Sequence, residues 1–124
     1  MLSMIAAGTP ACTDTMPAQV CTALFAYVQV KVQTSGGVPI GGLTISDTVL
    51  RNGAGFIVPQ SVGGAMPGTY VILDDDFRDR LQTNGDAVRV TGYENGTVFT
   101  ADYVFDVPDG CHIRKVSGPD VVVP

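Results

Sequence analysis

From residue 23 to 33 the chain reads ALFAYVQVKVQ, and this alternation limits its fold more than any other feature. Leu24, Ala26, Val28, Val30 and Val32 fall on one side, with Phe25, Tyr27, Gln29, Lys31 and Gln33 on the other. A period of two belongs to a strand with one buried face. The same period returns over residues 43–50, where Leu43, Ile45 and Asp47 point one way and Thr44 and Ser46 the other. It returns again in two arms, 87–93 and 98–107, joined by Glu94-Asn95-Gly96, a tight-hairpin signal. A bulge or bend is expected near Asp102, where the second arm stops alternating cleanly.

Turn chemistry separates these runs. Residues 34–42 (TSGGVPIGG) combine glycines that accept positive φ with Pro39, which removes a ladder donor, and Asn52-Gly53, Asn84-Gly85 and Asp109-Gly110 supply further turns. Phe56-Ile57-Val58 is a short apolar piece stopped by Pro59, followed by a glycine-rich loop to Pro67-Gly68. Residues 69–73 (TYVIL) form a β-branched and aromatic run. Asp74 then reads as the cap of a short helix over 75–82, with Phe77 and Leu81 on one face and Asp76 and Arg80 on another. Residues 112–116 and 121–123 supply the closing strand or strand pair. About seven short strands with one short helix predict an all-β domain of two packed antiparallel sheets.

A length of 124 residues suits one such domain. The expected division is an N-terminal segment over residues 1–20, a signal remnant or flexible lead, and a sandwich over 21–124. Residues 1–8 (MLSMIAAG) are apolar but lack a positive leading region. A lipid anchor through Cys12 is the lesser expectation, because Pro10 is unusual in the small-residue run before such a cysteine. The formal charge is −5, and Arg78 and Arg80 are interleaved with Asp76 and Asp79, so neither nucleic acid nor an acidic lipid surface is an expected partner. No stretch approaches the roughly 20 apolar residues of a membrane span.

Three cysteines permit three different single disulfides. Position favours Cys21 with Cys111: one stands just before the first strand and the other just before the last part of the chain, and a sandwich with neighbouring first and last strands would bring them together. Such a bridge favours an oxidising compartment. Two buried free thiols in a cytosolic protein are the alternative.

Residues 28–45 (VQVKVQTSGGVPIGGLTI) resemble the opening hairpin of carboxypeptidase-regulatory-like, or transthyretin-like, immunoglobulin-like β-sandwich domains. Residues 68–77 (GTYVILDDDF), 88–106 (VRVTGYENGTVFTADYVFD) and 110–119 (GCHIRKVSGP) resemble segments of a group of small bacterial secreted proteins and lipoproteins with that sandwich. Residues 46–68 match this pattern poorly. The resemblance implies the fold and an extracytoplasmic setting, and leaves function open, because such domains serve as accessory, adhesive or spacer modules.

Candidate chemistry is sparse. His112, the single histidine, adjoins Cys111, but neighbours in a strand point to opposite faces, so a structural role such as a strand-end hydrogen bond is expected for it over a nucleophile–base pair, and it is only a weak candidate for a binding residue. Asp74, Asp75, Asp76 and Asp79 form the densest acidic group and are a weak candidate for calcium; their spacing departs from the calcium loop, and helix capping explains them more simply. Asp102 and Asp106 share strand parity but lie about 13 Å apart at the usual rise, too far for a glycosidase pair. Asn95-Gly96-Thr97 matches a glycosylation acceptor and is assigned to the hairpin turn.

These readings predict a non-catalytic extracytoplasmic binding or structural module of the bacterial cell envelope, without cofactor or metal, whose partner is a protein or glycan. Two other readings stand beside it. One is a small hydrolase of transthyretin-like fold with its site around His112, and the other is an assembly module whose strand 121–123 adds to a neighbour's sheet edge.

Overall fold

The computed structural model describes Cys21, residues 24–60 and residues 66–124. The expectations for residues 1–20, including the lipid anchor through Cys12, and for the centre of the glycine-rich loop lie outside these residues.

Among the described residues eight strands and one 3₁₀ helix follow in order: β1 (Tyr27–Val32), β2 (Thr44–Val49), β3 (Ala54–Val58), β4 (Thr69–Asp74), η1 (Asp75–Arg80), β5 (Asp86–Tyr93), β6 (Thr97–Asp106), β7 (Arg114–Ser117) and β8 (Val121–Val122). They form two sheets, one of three strands in the order β4-β1-β8 and one of five in the order β3-β2-β5-β6-β7. All pairings are antiparallel except β1 with β8, which is parallel. This is the all-β two-sheet sandwich that the alternation predicts. Val30 and Val32 from β1 and Val71 and Leu73 from β4 are buried in the same hydrophobic core as Ile45, Val49, Val88, Val90, Tyr103 and Phe105 from the larger sheet.

Several details differ from the sequence reading. The first strand starts at Tyr27, and Leu24, expected to face inward, is 78% exposed. At Ala26 the backbone N–H leaves the ladder to donate to the Asp75 carboxylate, while Ala26 O accepts from Asp75 N, which takes the preceding residues off the sheet. The helix is a 3₁₀ element of six residues that ends with Leu81 N donating to Arg78 O. So short an element suits the tighter i→i+3 pattern. The Arg80 guanidinium lies over Phe56, which stacks on Phe77 at 4.4 Å between ring centroids.

The irregularity expected near Asp102 lies two to three residues further on, with a second one at the hairpin end. Against β5 the register slips between Gly92 and Tyr93, and against β7 between Val104 and Phe105. Asp102 itself stays in register opposite Arg89 and forms a two-point ion pair with it. His112 and Cys111 precede the strand that was expected to begin at 112, because the turn after Val107 extends through them and β7 starts at Arg114.

Exposed sheet edges invite pairing with other chains, and this fold covers one of them with a side chain. Next to β4, the Gln60 amide accepts from Val71 N and donates to Val71 O and Val58 O. It thereby imitates one step of a neighbouring strand and ties β3 to β4 across the two sheets. At the other edge, β8 is hydrogen-bonded to β1 through Lys31 N to Asp120 O and Gln33 N to Val122 O. One side of the strand considered for assembly is thus engaged within its own chain.

Gly92 is required by its cross-strand partner. Phe99 is buried directly over it, and a Cβ there would collide with the Phe99 ring. Gly92→Ala is expected to lower stability by about 1–3 kcal/mol, the usual cost of forcing extra volume into a packed interior. Urea unfolding checks this, and pairing it with Phe99→Leu, which frees space, should recover part of the loss.

Candidate functional site

The residues with chemical potential that the structure brings together lie at one end of the sandwich, where β4 passes into η1. Asp74 ends β4 and caps the helix, its Oδ1 accepting from Asp76 N at 2.9 Å. Asp75 turns the other way and is 4% exposed. Its Oδ2 accepts from Ala26 N at 2.8 Å and lies 2.6 Å from His112 Nδ1, and its Oδ1 accepts from Ile113 N at 2.8 Å. One carboxylate therefore holds the start of β1, the imidazole and the segment entering β7.

His112 is set in place by a second acid. Asp109 Oδ1 accepts from both Cys111 N and His112 N at 2.9 Å, closing the turn and holding the Asp109 carboxyl below the usual carboxylate range. Next to this turn, Cys111 is joined to Cys21 by a disulfide with Cα atoms 5.3 Å apart. The bridge links residues 90 positions apart, so it confines nearly the whole domain in one loop.

Cys21, Cys111, Asp75 and His112 thus form one junction, with Asp74 beside it. Asp76 and Asp79 point to solvent and do not join them. The four-aspartate group proposed for calcium is divided between a cap, a buried clamp and two exposed side chains. Among the described residues, no three metal-ligating side chains gather. The remaining acids considered in the sequence also have partners: Asp102 pairs with Arg89, and Asp106 with Arg114, each by two hydrogen bonds.

A carboxylate on Nδ1 orients an imidazole and favours the tautomer protonated there, leaving Nε2 as the acceptor nitrogen of the neutral ring. This is the positioning half of a His–carboxylate arrangement. The pairing spans 37 residues and was not anticipated, because nothing local in the sequence links Asp75 to His112.

Two further acids are buried: Asp86 is not singled out by the sequence pattern, and Asp47 lies on the inward face that the alternation predicts for it. Asp86 accepts from Arg51 Nε and Nη2 at 2.9 Å and from Gln82 N at 2.7 Å, and Arg51 holds its carboxyl below the usual range. Asp47 sits inside the sandwich with neither oxygen hydrogen-bonded. Its parity with Leu43 and Ile45 was the available signal.

Comparison with protein-family models, curated proteins and solved structures returns no match to this chain.

The junction leads to two expected outcomes. Asp75→Ala removes three charge-assisted bonds and strands the buried N–H of Ile113, so a loss of about 3–5 kcal/mol is expected in urea unfolding under oxidising conditions. Replacing Cys21 and Cys111 by serine should cost about 2–5 kcal/mol, near the upper value if the loop-entropy account holds. The same unfolding titration reads both.

Proposed function

We propose that this chain is a non-catalytic binding or structural module of the bacterial cell envelope, with a sandwich of the carboxypeptidase-regulatory-like kind and a protein or glycan as partner. The observation that carries the reading is the Cys21–Cys111 disulfide at the junction of first and last segments, a device suited to oxidising compartments. The acidic side chains add support through their occupations. Asp74, Asp75 and Asp109 satisfy backbone donors, Asp86 satisfies both a backbone donor and Arg51, and Asp102 and Asp106 satisfy arginines. Such uses build a rigid scaffold whose sheet faces and loops meet a partner. No helix among the described residues is long and apolar enough to cross a membrane.

A second reading is favoured by one contact, the 2.6 Å approach of His112 Nδ1 to the Asp75 carboxylate. In a small hydrolase this pair would orient the imidazole as a general base.

One set of experiments separates these readings. Fractionation of the source cells, with thiol labelling of the unreduced protein, should find the chain outside the cytosol with Cys21 and Cys111 blocked. A cytosolic chain with reactive thiols at both positions would refute the module reading. An ester and amide hydrolysis screen of the wild type against His112→Ala should show no difference, and turnover lost in the variant would establish the hydrolase. For a module, a glycan array should show saturable binding that His112→Ala leaves unchanged.

A further inference from the structure

Asp47 is the anomaly of this interior. It lies in the middle of β2, the second strand of the larger sheet, and is 0% exposed, yet neither carboxyl oxygen has a hydrogen-bond partner. An isolated carboxylate costs several kcal/mol in such a place, whereas the protonated acid costs far less. The groups around it give an anion no help. On β3 and β5 its register partners are Phe56 and Val90. From β4 in the opposing sheet the group within electrostatic reach is Asp74, a second acid whose own carboxyl is raised by burial. From β6 it is Tyr103, whose hydroxyl donates to Pro119 O and is kept neutral, pushed up to about 12 mainly by its own burial. None of these groups is a cation.

We propose that Asp47 is a proton-held seam between the two sheets: the sandwich packs with this carboxyl neutral and loosens when the proton leaves. The inference is independent of whichever partner the domain serves. Burial, with Asp74 adding like-charge repulsion, pushes the Asp47 carboxyl up to about 8 in the folded protein, against about 3.9 in an unfolded chain. Over that window the native state binds the proton and the unfolded state does not, so stability falls as pH rises. The stabilisation is complete below about pH 4 and is lost progressively as pH climbs through the folded value. The carboxyls held low by arginines or backbone donors, Asp86, Asp102 and Asp109, act in the opposite sense and only under more acidic conditions, while Asp74, raised by burial, acts in the same sense as Asp47.

The test is urea unfolding of wild type and Asp47→Asn in parallel from pH 5 to 9. The variant cannot ionise at position 47 and groups remote from it cancel, so the ratio of the two folding equilibrium constants reads Asp47 together with its coupling to Asp74. That ratio should move about tenfold per pH unit toward the variant between roughly pH 5 and 7.5, then level off. Curves that stay parallel across the range would overturn the proposal. Should Asp47→Asn fail to fold, a carbon-13 titration of the wild-type Asp47 carboxyl decides instead. A midpoint within a unit of 8 supports the seam, and one near 4 refutes it.

Discussion

Asp75 ties together three segments of the chain at one end of the sandwich. Its carboxylate accepts the N–H groups of Ala26 and Ile113 and approaches the ring of His112, while its own N–H donates to Ala26. These contacts determine where β1 begins, how η1 leaves β4 and how the chain enters β7. A buried carboxylate is stable only when its lone pairs are met by donors, and here the donors come from three segments distant in sequence. The same place holds the disulfide, so covalent closure and polar closure reinforce one another.

Asp47 and Asp75 show how burial alone does not decide what an acid does. Both are nearly inaccessible, and both stand close to Asp74 in space or sequence. Asp75 lies at the end of the sandwich, where backbone N–H groups are released from the ladders and can turn toward it. Asp47 lies in mid-strand, where both neighbours, β3 and β5, already use the backbone donors around it. The first is therefore an acid whose oxygens are met by protein donors, and the second is an acid that has lost its solvent without replacement. One fold thus contains a carboxyl that builds structure through the donors it gathers and another that, on the proposal above, preserves it by staying neutral.

Period-two patterning made the sandwich legible. The alternation of residues 28–32, 43–49 and 87–93 translates directly into buried inner faces, and the Asn95-Gly96 hairpin was readable because Asn95 adopts φ 55° and Gly96 φ 126°. Strand ends were less legible, since Ala26 leaves its ladder for a side chain 49 residues away. In β6 the inward face alternates through Phe99, Tyr103 and Phe105 while Val98 and Val104 lie on the outer parity, so the sequence looks irregular around Asp102 and the register slip itself comes between Val104 and Phe105. At the junction, Cys21 and Cys111 were legible from their positions relative to the strands. The Asp75–His112 pair was not, because its members are brought together only by the three-dimensional crossing of η1 and the turn before β7.

The aspartate run from 74 to 76 shows how far composition can be carried toward function. Three consecutive carboxylates suggest a cation, yet alternate residues here belong to different structural tasks: Asp74 faces the helix start, Asp75 the interior and Asp76 the solvent. A strand-to-helix transition rotates successive side chains by different amounts, so neighbours in sequence diverge in space. Clustering along a chain concentrates ligands only where the backbone is a loop that curls around a centre. This backbone passes from an extended strand into a 3₁₀ turn, and that geometry converts an acidic run into a cap and a clamp.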